Sequence, residues 1–319
     1  MVRRTNRLTR GTVLTSFRSI PIAAIVAPGS LTVFPQSINE TVSLPVRQLD
    51  FNYTNFGTFV GGGYTERLGD PRIYNLAFRT ASTGETIELD SPGHYQNVSY
   101  HLDFRGPAVK CASASEEFLY NLTYQYGVKS DTMIKYRFLS WTHTLLETPP
   151  EDEAIRFPGT SPDDTRLYSR VYIMTNEGAW NVTRTYNGTD SPLYRQVNVT
   201  ECLLYNASYS VDYRFEYPSQ SQHASVSDWL NPVVSLSNQE KRGHDLTVQE
   251  TLSYAAVMDA FTQMLVGEAS KDKYRKEKVT STIWKLSPIG WRDGVAVAQG
   301  LEELFKNITL GLLSDDALM

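Results

Sequence analysis

The five histidines are the first residues to consider for catalysis or metal binding. They are His94, His101, His143, His223 and His244. None lies in HExxH, HxH or another spacing that brings metal ligands together. The sequence also lacks a GxSxG elbow, a Walker or Rossmann phosphate loop and the setting of a catalytic cysteine. These patterns provide no catalytic residue, and we expect no metal and no cofactor.

Clustered carboxylates offer two further kinds of chemistry. The Pro-rich piece 148–164 carries Glu151, Asp152, Glu153, Asp163 and Asp164. Their spacing does not fit a twelve-residue calcium loop, which favours a solvated surface loop. A glycosidase needs two carboxylates facing each other across a cleft, whereas Asp212 and Glu216 share one face of a strand about 13 Å apart. Charges that alternate with aromatic residues are ordinary for a strand.

The only two cysteines, Cys111 and Cys202, form either a disulfide or a pair of buried free thiols. An oxidising compartment favours the disulfide. In a strand, Cys202 would lie on the same face as the even-numbered polar residues around it. The crosslink is therefore expected outside the main core, or at a strand irregularity near Glu201.

Sites for N-linked glycans are the strongest compositional signal. Nine N-x-S/T sequons occur at Asn39, Asn52, Asn97, Asn121, Asn181, Asn187, Asn198, Asn206 and Asn307. The Ser and Thr content predicts only about three by chance. We expect passage through a eukaryotic secretory pathway, N-linked glycans on the chain, and a location on the extracellular or luminal face of a membrane.

The segment from Val197 to Tyr217 is expected to form the central strand of the fold. Apolar and aromatic residues occupy its odd positions other than Glu201, and polar residues occupy most of its even positions. A period of two is typical of a strand with one buried face. Asn198 and Asn206 lie at even positions, on the polar face, which predicts that both side chains project into water.

Four regions follow from the order of patterns along the chain. Residues 1–30 are expected to be an N-terminal juxtamembrane or truncated segment, and 31–217 a β-rich glycosylated ectodomain. A polar connector is expected at 218–245, and a helical C-terminal part packed on the sheet at 246–319.

Within these regions, 73–78 is one of several strand-like pieces, and a short helix is expected at 118–124. Residues 167–174 and 180–186 are expected to form a hairpin. A capping box, Thr247-x-x-Glu250, predicts a helix to about Gly267. A second helix is expected at about 295–313, where apolar residues recur every three or four positions. The predicted fold class is mainly β (α+β), an antiparallel sandwich-like assembly with two C-terminal helices packed on it.

Composition excludes several classes of protein. The 319 residues are 41% hydrophobic, which excludes a disordered chain, and 12% aromatic, which suits half-buried strands. A formal charge of -5 argues against nucleic acid as a partner. No run of 18 apolar residues occurs, so any membrane attachment is expected through segments outside this chain.

Four segments resemble the ectodomain of uncharacterised multi-pass membrane proteins of filamentous fungi. They are IPIAAIVAPGSLTV (20–33), NVSYHLDFRGPAVKC (97–111), ECLLYNASYSVDYRFEY (201–217) and LEELFKNITLGLLS (301–314). Relatives often have Asn-Cys-Ser-Tyr where this chain has Asn97-Val98-Ser99-Tyr100, which removes one partner cysteine and favours pairing of Cys111 with Cys202. Some members are named formylmethionine deformylase-like, but this chain lacks the HExxH motif of a deformylase. The resemblance implies a membrane-linked ectodomain and supplies no catalytic residue.

Three functional hypotheses remain open. The first is a non-enzymatic surface module that binds a ligand, a protein or a cell-wall polysaccharide. The second is a carbohydrate-active or carbohydrate-binding secreted protein, which facing carboxylates beside exposed aromatic residues would favour. The third is a structural spacer of a membrane assembly.

Overall fold

The computed structural model describes residues 2–7, 37–52, 56–59, 67–92, 97–114, 136–143, 170–176, 197–233, 246–271, 277–286 and 297–314. Its early strands are β1 (Val2–Arg7), β2 (Ser37–Val42), β3 (Gly57–Phe59), β4 (Arg67–Gly69), β5 (Asn97–Ser113), β6 (Tyr136–His143) and β7 (Arg170–Asn176). The later strands are β8 (Val197–Glu216), β9 (Ser219–Pro232), β10 (Gly267–Lys271) and β11 (Glu277–Val279). The helices are α1 (Pro71–Thr83), α2 (Val248–Leu265), α3 (Thr282–Leu286) and α4 (Val297–Gly311), and a 3-10 turn, Leu312–Ser314, follows α4.

Nine of the described strands form one sheet, in which the pairs β1–β2, β1–β5, β6–β7, β6–β10, β7–β8 and β10–β11 are antiparallel. The order is β11-β10-β6-β7-β8-β5-β1-β2, and β9 also pairs with β8. β3 and β4 form a separate two-stranded sheet. The predicted fold class is confirmed, because the described chain is mainly antiparallel sheet with helices concentrated near its C-terminal end.

The chain divides into two compact units. The first unit comprises Met1–Val46, Asp90–Asp103 and Ser210–Ser225, and the second comprises Arg47–Leu89, Phe104–Tyr209 and Val226–Met319. Strands β5, β8 and β9 contribute residues to both units. These limits differ from the four expected regions, since pairing between distant strands defines the units. Val2–Arg7 of the expected juxtamembrane segment forms β1.

The first unit has a core of stacked aromatic rings between β5 and β8. The Tyr100 and Tyr213 ring centroids are 5.0 Å apart, and those of Tyr100 and Phe215 are 6.0 Å apart. All three side chains are buried. They lie on the even-numbered face of β5 and the odd-numbered face of β8, so the opposite face presents the polar residues of both strands.

The second unit contains the helical core. α2 begins with the predicted capping box, in which the Thr247 hydroxyl accepts from the Glu250 N–H and the Glu250 carboxylate accepts from the Thr247 N–H. α4 buries Leu301, Leu304, Phe305 and Ile308, the expected face. The Phe305 ring meets Phe261 of α2 edge-on at 5.0 Å. Both C-terminal helices predicted from the sequence are therefore confirmed.

Residues 73–78 form part of helix α1, so the strand prediction for this piece is wrong. Asp70 caps the helix by accepting from the Arg72 N–H, and Pro71 occupies the first turn, where its missing N–H costs nothing. The buried residues, Ile73, Leu76, Ala77, Thr80 and Ala81, follow helical spacing. α1 packs on α2 and α4.

The expected polar connector at 218–245 is also contradicted, because Ser219–Pro232 forms the 14-residue strand β9. Its half-buried and exposed residues alternate over much of its length, and it follows β8 after the two-residue turn Tyr217–Pro218. Tyr217, expected to face inward, is 79% exposed in that turn. The helix expected at 118–124, the acidic loop at 148–164 and the second strand of the hairpin expected at 167–186 lie outside the described residues.

Candidate functional site

A polar face carried by β5, β8 and β9 is the candidate functional site, and all of it belongs to the first unit. It borders a groove of about 480 Å³. The polar residues on the face that borders this groove are Ser99, His101, Asp212, Arg214, Ser221 and His223. We call this surface the polar groove. The Tyr100 and Tyr213 residues beneath it are buried, so their rings do not present a flat stacking surface.

Strand register places these side chains in rows across the sheet. His101 bonds Asp212 across β5 and β8, and the two-residue turn after Glu216 sets His223 opposite Asp212 on the other side. By the same register, Ser99 and Ser221 flank Arg214. Neighbouring residues on one face of a sheet are close enough to act on one ligand.

His101 is the best-connected residue of the polar groove. Its Nδ1 lies 2.8 Å from Asp212 Oδ1, and its Nε2 lies 3.1 Å from Asp103 Oδ1 and 3.3 Å from Ser210 Oγ. The hydrogen bond to Asp212, reinforced by Asp103, raises the pKa of His101 above its ordinary value. The charged imidazolium is therefore favoured between the two carboxylates.

Ser210, His101 and Asp212 have the connectivity of a Ser-His-Asp triad, but two features argue against acyl transfer. Asp103 lies 3.1 Å from the same Nε2 and competes with Ser210, at 3.3 Å, for the nitrogen that a general base would use. β8 also has a strand neighbour on each side, so its amides are engaged in sheet ladders instead of forming an oxyanion hole.

The same cluster does not form a metal centre or a glycosidase pair. Asp103 and Asp212 bind opposite nitrogens of the His101 ring, so they do not converge on one point. Among the described side chains, no group of three or more His, Cys, Asp or Glu is arranged to hold a metal ion. The imidazole also occupies the space between the two carboxylates that a glycosidase keeps for sugar and water.

A second polar cluster, in the second unit, links side chains of two neighbouring strands. Arg170 Nη1 donates to Glu201 Oε1 at 2.8 Å, and the Tyr172 hydroxyl donates to the same oxygen at 3.1 Å. Burial raises the pKa of Tyr172 to about 12, so its hydroxyl stays a donor. The network joins β7 to β8, and Glu201 lies in regular strand pairing with Tyr172.

Cys111 and Cys202 form a disulfide between β5 and β8. Their Cα atoms are 4.0 Å apart. The Ala114 N–H donates to the Val199 carbonyl, which pairs these two residues across the strands. Each lies three residues from a cysteine, so Cys111 and Cys202 are directly opposed. The outward-facing Cys111 N–H donates instead to Glu302 of α4 at 2.7 Å. Cys202 is fully buried, so the expectation of a crosslink outside the core is wrong.

The reason is a change in which side of β8 is buried. Odd-numbered residues are buried from Ala207 to Phe215, whereas even-numbered residues are buried from Cys202 to Asn206. Asn206 is 2% exposed, and its Oδ1 accepts a 3.0 Å hydrogen bond from the Tyr254 hydroxyl of α2. The prediction that Asn206 projects into water is therefore wrong.

The other sequons differ in exposure. Asn52 and Asn198 are exposed, whereas Asn97 and Asn307 are half-buried. Asn52 accepts from the Thr247 hydroxyl and donates to Glu250, so it adjoins the cap of α2. Asn39 lies in β2. Asn121, Asn181 and Asn187 are outside the described residues, as are His94 and His244. His143 ends β6.

Sequence reasoning did not select the polar groove. His101, Asp103, Asp212 and Arg214 each alternate with apolar residues, which the sequence shows for each strand separately. Their proximity depends on the pairing of segments more than one hundred residues apart. Glu216, the second acidic residue on this face of β8, has its Oε1 4.0 Å from Arg214 Nε.

No protein-family model, curated protein or solved structure matches the chain. In the part of the chain that the structure describes, no helix has the length and hydropathy needed to cross a bilayer. The disulfide is compatible with a secreted or luminal location.

Proposed function

We propose that this chain is a non-enzymatic binding module that acts on the extracellular or luminal side of a membrane. The polar groove is its binding surface. The observation that carries this proposal is the set of donors and acceptors that three strands present on one face, without the geometry of a nucleophile or a metal site. Such groups determine the orientation and specificity of a bound ligand.

The cellular setting belongs to the same proposal. The nine sequons and the buried disulfide support maturation in the secretory pathway and decoration with N-linked glycans. The resemblance to fungal ectodomains supports a membrane link through segments outside this chain, with a protein or a cell-wall polysaccharide as partner. The net charge of -5 argues against nucleic acid as a partner.

The test is a binding screen on the full chain produced by secretion. Imidazole NMR signals of His101 and His223 report on the groove, and His143, which ends β6 in the second unit, serves as the internal reference. Neutral oligosaccharides, acidic oligosaccharides and peptides are titrated in turn. We expect at least one class to move both groove signals and leave the His143 signal unchanged. A panel that moves neither signal would overturn the groove as a binding surface and would favour the spacer hypothesis.

A second candidate function, carbohydrate recognition by ring stacking, is favoured by an aromatic pair in the second unit. The half-buried rings of Tyr205 and Trp229 meet edge-on at 5.5 Å, and Lys110 Nζ lies 5.6 Å from the Trp229 ring centroid. An accessible indole provides area for sugar rings. Trp229→Phe should abolish a fluorescence change caused by oligosaccharide, and an unchanged response in this variant would contradict the candidate.

A further inference from the structure

We propose that the polar groove recognises an anionic saccharide through Arg214, and that it binds this ligand more tightly at acidic pH. This inference rests on the proposed binding function and specifies its ligand class and its regulation. The site is the row Ser99, Arg214 and Ser221, with the row His101, Asp212 and His223 beside it.

Arg214 is the anchor for the anionic group. Its side chain is 69% exposed, and the only ion pair recorded for it among the described residues is the 4.0 Å contact with Glu216. A guanidinium presents a planar fork of donors that matches a carboxylate or a sulfate ester. Ser99 and Ser221 lie on opposite sides of Arg214 and add hydroxyl donors at the same level of the sheet.

The remaining lining groups favour a saccharide over a peptide. Ser99, Ser221 and Asp212 present both donors and acceptors, which match the hydroxyls of a sugar. The apolar residues beneath the groove, Tyr100 and Tyr213, are buried in the core and form no pocket for an apolar side chain.

Protonation of His101 lowers the negative charge around the ligand. With a neutral imidazole, the carboxylates of Asp103, Asp212 and Glu216 outweigh Arg214 by two charges. With His101 protonated, the same five groups carry a net charge of minus one. His101 bonds both carboxylates directly, so its protonation neutralises the groups that would repel an anion. Because these groups are solvent-exposed, we expect the affinity to change about tenfold between pH 7.5 and pH 5.5.

The experiment measures the affinity of the full chain for a uronic acid tetramer at these two pH values. A neutral hexose tetramer is the matched control ligand. A sulfated form of this hexose tetramer distinguishes recognition of a sulfate ester from recognition of a carboxylate. We expect tighter binding at pH 5.5 and weak binding of the neutral tetramer. Raising the salt concentration should weaken binding of the uronate tetramer.

Two variants assign the effect to named residues. Arg214→Gln should lose binding at both pH values. The control Lys285→Gln removes an exposed positive charge in the second unit and should leave the affinity unchanged at both pH values. His101→Gln should bind as the unaltered chain does at pH 7.5 but lose most of the increase at pH 5.5. Because these side chains are exposed, the variants should fold, and circular dichroism checks this.

The outcomes separate this inference from the proposed function. Equal binding of the neutral and uronate tetramers, or an unchanged affinity of Arg214→Gln, would overturn the anionic ligand. If a peptide or a neutral sugar then moved the His101 and His223 signals, the groove would still be a binding surface. If no ligand moved them, the proposed function would fail as well.

Discussion

The buried hydrogen bond between Tyr254 and Asn206 gives the sharpest test of how β8 and α2 are joined. The two residues are 1% and 2% exposed, and the hydroxyl lies 3.0 Å from Asn206 Oδ1. Tyr254→Phe removes the donor and keeps the ring, whose edge-on contact with Phe51 at 4.9 Å should persist. The change therefore isolates the polar interaction from any loss of packing.

The expected magnitude follows from the carbonyl oxygen that is left buried without its donor. A buried polar group that loses its partner costs about 1–3 kcal/mol of unfolding free energy. We expect Tyr254→Phe to lower the free energy of unfolding by this amount, with an unchanged urea dependence. The measurement is urea unfolding followed by circular dichroism, with the disulfide intact.

The matched control is Tyr217→Phe, because Tyr217 is 79% exposed and its hydroxyl faces solvent. This control should stay within about 0.5 kcal/mol of the unaltered chain. Equal stability of the two variants would refute the reasoning. The same burial leaves no room for a glycan on Asn206, so mass spectrometry of the folded, secreted protein should find this sequon unmodified.

Three further predictions concern other parts of the fold. Replacing both cysteines by alanine should lower the free energy of unfolding by about 4.6 kcal/mol, since the disulfide closes a separation of 91 residues; an unchanged urea midpoint would contradict this. Gly267→Ala should cost more than about 1 kcal/mol in thermal unfolding, because Gly267 has φ +140° and a Cβ there would lie 2.5 Å from the Ser281 nitrogen. NMR titration should place the pKa of His101 above its ordinary value of 6.5, and Asp212→Asn should lower it. Because folding raises this pKa, the free energy of unfolding that His101 contributes should be fully present at acidic pH and lost as the pH rises through the pKa of the folded state. An NMR titration of His101 that Asp212→Asn leaves unaltered would contradict the assignment.

Local signals were sufficient for several elements. The capping box at Thr247 and Glu250 predicted α2 because both of its hydrogen bonds form within one turn. The apolar spacing of α4 predicted which face is buried. In β5, Val98, Tyr100, Leu102 and Phe104 alternate with polar residues, the period of two that a strand with one buried face shows.

For helix α1 and strand β9, local sequence patterns are mixed or weak. The apolar residues at 73–78 taken alone favour a strand, whereas Asp70 and Pro71 mark a helix start and the buried positions continue to Ala81. The regularly alternating half-buried positions of β9 hold Gln220 and Gln222 before Ala224 and Val226, so the apolar period of two that would indicate a strand is short. β9 becomes a strand because β8 supplies its hydrogen-bonding partners.

The sequence by itself determined the class of the fold, the two C-terminal helices and the two cysteines available for a crosslink, because these depend on composition and on spacing within one element. Tertiary structure alone decided which side of β8 is buried at each point, and hence that Asn206 is buried and Cys202 lies in the core. It also decided that His101, Asp212 and Arg214 share one groove. The physical reason is that burial and proximity depend on strand register and on the helix above a strand, which residues far apart in the chain determine.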